Sequence, residues 1–178
     1  MFVGCENGAV LTAMTFYIRD IGAVSGITEL QSASLLSISA MIGFPVTVFT
    51  GFMLEKFKVR YILALSYFIQ AISIVQMIYM NEMISATVFA VVWGLSSGLQ
   101  QVALQYVWPY YYGVNCLGTI NSLFVTSGVI GSAIGPIAYG VAIDRIGSWS
   151  TILWWTVPVA LFSSLMLLLC GQKPVHQN

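Results

Sequence analysis

Ser150-Thr-Ile-Leu-Trp-Trp-Thr-Val-Pro-Val-Ala-Leu-Phe-Ser-Ser-Leu-Met-Leu-Leu-Leu-Cys170 runs its whole length without an acid or a base. A helix rises about 1.5 Å per residue and the hydrocarbon of a bilayer is about 30 Å thick, so about 20 apolar residues span it. Moving outward toward the N-terminus, four more stretches read the same way: Leu117–Ile143, Ile84–Val107, Tyr61–Met80 and Ser34–Met53, none holding Asp, Glu, Lys or Arg. A sixth, Met1–Ile18, is shorter and contains Glu6. It has no basic leader and no clear small-residue cleavage site, so it reads as a helix with its beginning cut off rather than a signal peptide. Barrel strands would alternate in hydrophobicity over about 10 residues, and these runs are continuous. The expected fold is therefore all-α: a polytopic membrane bundle of six transmembrane helices in one domain spanning 1–178, with 171–178 as a tail.

Composition excludes most other classes. Of the 178 residues, 58% are hydrophobic and 7% charged, and the mean hydropathy is +0.89. A soluble domain carries about a quarter charged residues to face water. The net charge is zero, which gives a nucleic acid no electrostatic purchase, so lipid is the expected surrounding partner. Cys5, Cys116 and Cys170 are far apart, and the one histidine, His176, lies in the tail. No metal site and no cofactor are expected from such a set. The chain has neither H-E-x-x-H nor G-x-x-x-x-G-K-[ST], which argues against a membrane metalloenzyme and against ATP drive.

Lys56, Lys58 and Arg60 crowd one loop and Lys173 lies on the same side, against Arg19 and Arg145 on the other. Basic residues favour the cytoplasmic face, so both termini are expected in the cytoplasm, although the loop Trp108–Cys116 on that side has no basic residue. Tyr106, Trp108 and Tyr110 to Tyr112 at one helix exit, with Trp149, Trp154 and Trp155 at an entry, suit the headgroup zone.

A repeat organises the runs. Gly51-Phe-Met-Leu-Glu55-Lys56 closes the second and Gly140-Val-Ala-Ile-Asp144-Arg145 closes the fifth. Each copy follows a proline in its helix (Pro45, Pro136) and precedes the last helix of a triplet. Three helices cross the membrane an odd number of times, so the copies face opposite sides, as in two three-helix units of inverted topology.

These residues resemble those of the major facilitator superfamily. Gly51-x-x-x-Glu55-Lys56-x-x-x-Arg60 is similar to the loop that follows the second helix of each six-helix half in that family. Pro109-Tyr-Tyr-Tyr-Gly113, Leu117-Gly118-Thr-Ile-Asn121, Gly131-x-x-x-Gly135-Pro136 and Asp144-Arg145-x-Gly147 resemble the penultimate helix of its monocarboxylate- and oxalate-type members. The chain departs from the pattern in lacking a base at Val114–Cys116 and in having Glu with Lys where Asp with Arg is commoner. The resemblance spans essentially the whole chain and implies the C-terminal six-helix half of a transporter, the N-terminal half being the missing partner. It implies that the first, second, fourth and fifth helices line a central cavity. It also gives the loop residues Gly51, Glu55, Lys56, Arg60, Gly140, Asp144 and Arg145 a part in conformational change; plain topogenic charge is the other reading.

Polar groups within the runs are the site candidates. Glu6, beside Asn7, is the one ionisable residue in a predicted span, and a charge there costs at least about 2.5 kcal/mol on insertion scales. It serves proton coupling or solute contact, or else lies in the headgroup region. Gln101 and Gln105 share a face of the fourth helix with Ser97, and Asn121 begins the fifth; they bind solute or simply tie helices together. Gly94-x-x-x-Gly98 and Gly131-x-x-x-Gly135 are expected to let helix backbones approach closely, and Pro45, Pro136 and Pro158 to bend their helices. The expected function is secondary transport of a small solute, a small organic anion for preference, by alternating access. The alternative is a truncated or accessory six-helix membrane protein that does not transport.

Overall fold

The computed structural model describes residues 2–24, 26–112 and 117–169. The expected tail at 171–178, with Lys173 and His176, and the loop segment 113–116 lie outside them. Every described element is helical: α1 (Phe2–Val24), α2 (Glu29–Lys56), α3 (Val59–Ile78), α4 (Met83–Tyr112), α5 (Leu117–Ile146) and α6 (Trp149–Leu169). Five of them, α2 to α6, are long and apolar enough to cross a membrane. The first falls short of that measure because its 23 residues include Glu6, Arg19 and Asp20.

Several helices outrun the apolar stretches that announced them. The second starts at Glu29, where Thr28 forms a capping box with Gln31: the Thr28 hydroxyl accepts from the Gln31 N–H while the Gln31 amide oxygen accepts from the Thr28 N–H. Two orphan donors are satisfied by that exchange. The fourth continues through Pro109 to Tyr112, where a loop was expected; near a helix end a missing N–H forfeits one bond and breaks nothing further. The fifth ends on Gly147 at φ +70°, whose N–H bonds the Ile143 carbonyl at 2.8 Å, the left-handed cap that glycine adopts without steric cost. Composition marks only what sits in hydrocarbon; hydrogen bonding carries each helix past that limit.

Two seams built on small residues hold the bundle. In the α1–α5 seam Gly131 lies so close to the Cys5 carbonyl that a Cβ would overlap it, and a Cβ on Gly135 would be 2.5 Å from the Ala9 carbonyl oxygen. In the α2–α4 seam a Cβ on Gly94 would be 2.5 Å from the Ser39 carbonyl oxygen, and one on Gly98 2.8 Å from that of Gly43. Both glycine pairs read from the sequence therefore serve close packing, where dispersion between backbones supplies the attraction that water cannot. Against these seams α3 packs along both α4 and α6, while α6 touches α1 only slightly. The outer faces of α2 and α5 are largely uncovered, leaving Phe44, Phe49 and Phe52 on one and Val129, Ile134 and Ile137 on the other exposed.

The surface is far more apolar than that of a water-soluble protein. Phe16, Phe44, Trp155 and Leu169 lie outside, whereas Glu6, Gln70, Gln100, Ser66 and Ser73 lie inside. Such a surface suits lipid and not water. Two apolar cores form, one around Ile18, Leu35, Ile74 and Phe89, the other around Leu54, Ile62, Leu63 and Leu104. A polar layer separates them.

Candidate functional site

That layer is assembled from the first turns of α1 and the middles of α3, α4 and α5. Cys5 meets Gly131, halfway along α5. Asn7 Nδ2 donates to Gln100 Oε1 at 2.6 Å, and Gln100 Nε2 donates to Gln70 Oε1 at 2.8 Å. Tyr67 Oη donates to the Val3 carbonyl at 3.1 Å. Gln100 and Tyr67 sit near the centres of α4 and α3, so Glu6 and Asn7 lie at mid-depth of the bundle rather than at its end. The amide chain from Asn7 through Gln100 to Gln70 ties α1, α4 and α3 together, each link satisfying groups that would be costly unpaired.

Glu6 stands apart from that chain. It is 6% exposed, and neither carboxylate oxygen has a hydrogen-bond partner among the described residues. It lies on the wall of a cavity of about 360 Å³ between α1, α5 and α6. On the same wall Thr156 donates to the Ile152 carbonyl at 3.0 Å, and its oxygen lies 2.7 Å from Tyr139 Oη.

The other candidates are dispersed. Gln101 is exposed and lines a groove of about 380 Å³ between α1, α2 and α4, together with Thr15, Ser39, Thr47 and Ser97. Gln105 is exposed one turn further on, and Asn121 is exposed near the start of α5. In the loop motifs Gly51, Glu55, Lys56, Asp144 and Arg145 are exposed. Arg60 donates to Tyr61 Oη at 2.8 Å with its guanidinium 4.7 Å from that ring's centroid, and Gly140 lies against the Tyr17 hydroxyl.

Sequence reasoning passed over Gln70, Gln100, Tyr67, Tyr139 and Thr156. A signal for the first two was present. Ser66, Gln70 and Ser73 on α3, and Ser96, Gln100 and Ala103 on α4, recur every three or four residues, and all six are buried. A polar stripe at helical spacing, flanked by small residues, marks a helix–helix interface. Among the described residues no group of His, Cys, Asp and Glu is arranged to hold a metal ion. Comparison with known proteins assigns nothing further: no family model and no curated protein matches the chain.

Proposed function

We propose that this chain is one six-helix half of a secondary transporter, built as two inverted three-helix units and moving a small solute by alternating access. The observation that carries the reading is a correspondence between the two glycine seams. The motifs at Gly51 and Gly140 are 89 positions apart. The same shift takes Cys5 to Gly94, Ala9 to Gly98, Ile42 to Gly131 and Val46 to Gly135. Gly94 packs on Ile42 and Gly98 on Val46; Gly131 packs on Cys5 and Gly135 on Ala9. These two contacts of one seam thus have counterparts in the other, as expected of two copies of one unit related by a pseudo-twofold axis. Three-helix units in succession run in opposite senses, so the copies are inverted.

Further support comes from what is left uncovered. The exposed faces of α2 and α5, and the groove that includes Ser97 and Gln101, form one wall of a cavity that a second six-helix unit would close. Transporters of inverted repeats bind their solutes at mid-depth between such units. The solute class rests on family resemblance: a small organic anion, crossing with a proton held on Glu6. Arg19, Lys56, Lys58, Arg60 and Arg145, the basic residues within the described segments, all lie at helix ends or in loops, so none stands at mid-depth to take the anion's charge.

The test needs no knowledge of the solute. Ser97→Cys, in a chain whose native cysteines are replaced by alanine, should react with a membrane-impermeant thiol reagent from either face of the membrane. Reaction in only one of two preparations, right-side-out or inverted vesicles, would remove alternating access and favour an accessory membrane protein.

A further inference from the structure

We infer that one end of the bundle, where α2 meets α3, binds the phosphate of an anionic lipid headgroup through Lys56, Lys58 and Arg60. The charged side chains are unevenly divided between the two ends. Ile21, Ile78 and Trp149 line one cavity, which places the ends of α1 and α3 beside the start of α6. That end has Arg19 and Arg145 against Asp20, Glu29, Glu82 and Asp144, all exposed. At the opposite end Tyr110 and Tyr111 pack on the core that includes Leu54 and Val59. Its charged groups, among the described residues, are Lys56, Lys58 and Arg60 against Glu55. Two bases with four acids leave a net charge of −2 at one end, and three bases with one acid leave +2 at the other. Lipid phosphates are the anions that a membrane brings to such a surface, and basic side chains close to it attract them.

The positive end suits a headgroup rather than bulk solution. Lys56 ends α2 and Lys58 is the N-cap of α3. Both are exposed, and neither has an ion-pair partner among the described residues. Arg60 is held in place, donating to Tyr61 Oη at 2.8 Å with its guanidinium 4.7 Å from that ring's centroid. A guanidinium fixed on a ring loses little freedom on meeting a phosphate, and its planar donors match phosphate oxygens. In Lys56-Phe-Lys-Val-Arg-Tyr61 two exposed rings, Phe57 and Tyr61, interleave with the bases. Exposed rings at a helix end settle at the headgroup level, which sets the three bases at the depth of lipid phosphate. The side chain of Lys58 makes no cap, so the first N–H groups of α3 add partial positive charge at the same place. This assignment does not rest on the transport reading, since a bundle that never moves would hold the same lipid.

The test counts the lipids that stay on the full chain when it is released from nanodiscs of equal parts phosphatidylglycerol and phosphatidylcholine, by native mass spectrometry. Nanodiscs offer both leaflets alike, so the readout is independent of any part these bases play in setting orientation during insertion. The parent chain should retain phosphatidylglycerol over phosphatidylcholine by at least about fivefold. Replacing Lys56, Lys58 and Arg60 together by Gln should bring the ratio to about one. Arg19→Gln with Arg145→Gln, the bases of the other end, should leave it as in the parent. Should the triple variant fail to fold, Lys56→Gln with Lys58→Gln, both on exposed positions, should at least halve the preference. Sodium phosphate should displace no more lipid than sodium chloride of equal ionic strength. Equal retention of the two lipids by the parent chain would overturn the assignment. So would a preference that survives the triple or the double variant, one lost equally in the Arg19 and Arg145 variant, or displacement by phosphate beyond that by chloride, which would mark a site for a soluble phosphate.

Discussion

The two sides of the bundle begin from equivalent seams and end differently. Where α3 meets α4 the helices close fully: Ser66, Gln70 and Gln100 are buried, and Gln70 bonds Gln100. Where α6 faces α1, a cavity takes the place of that contact. The buried faces of α3 and α6 nevertheless match at a shift of 90 positions: Ile62 with Ile152, Leu63 with Leu153, Ser66 with Thr156, Ser73 with Ser163. The exceptions are instructive. Tyr67 and Gln70 correspond to Val157 and Ala160, and Glu6 corresponds to Leu95 at the shift of 89 that relates the seams. One side has bulk and paired amides; the other has small apolar residues and an unpaired acid. Close-packed interiors leave little empty space, so the cavity beside α1 and α6 sets this side apart from the closed one.

Substituting the seams breaks the comparison most severely. Gly131→Leu and Gly98→Leu each drive a side chain into a facing backbone, and each should cost about 3 kcal/mol or more, read as loss of folded protein on SDS titration of the purified chain. A large loss in one with none in the other would show that the seams are not equivalent.

Exchanging the residues that differ sharpens it next. Glu6→Leu gives the open side the residue of the closed side and should stabilise the bundle by about 2–3 kcal/mol, the cost of an acid at membrane depth. Leu95→Glu should destabilise by at least as much. Thermal melts in detergent would report both, and a Glu6→Leu chain less stable than its parent would mean that the carboxyl is structurally satisfied after all.

The smallest effects separate neighbouring glutamines. Gln100→Leu removes the amide link between Asn7 and Gln70 and should cost about 1–2 kcal/mol. Gln101→Leu, on an exposed face, should stay within about 0.5 kcal/mol. Equal losses in the two would place the amide chain outside the stability of the bundle and leave α3 and α4 held by shape alone.

Much of this was legible in the residues. Long runs without charge determine helices that suit a membrane, because backbone groups in hydrocarbon must bond within their own segment. Gly94, Gly98, Gly131 and Gly135 announced close packing, and the paired motifs at Gly51 and Gly140 announced a shift that the seams then repeat. Glu6 and Asn7 stood out as polar groups in an apolar run. What the sequence could not determine was which way each polar side chain turns. Gln100 and Gln101 are adjacent, about 100° apart on one helix, and only the position of α3 makes the first a buried link and the second a groove residue. The depth of Glu6 depended likewise on where α5 places Gly131, and its lack of a partner on how far α6 stands from α1. Helix formation answers to a segment's own composition, whereas burial, pairing and empty space depend on distances between segments far apart in the chain.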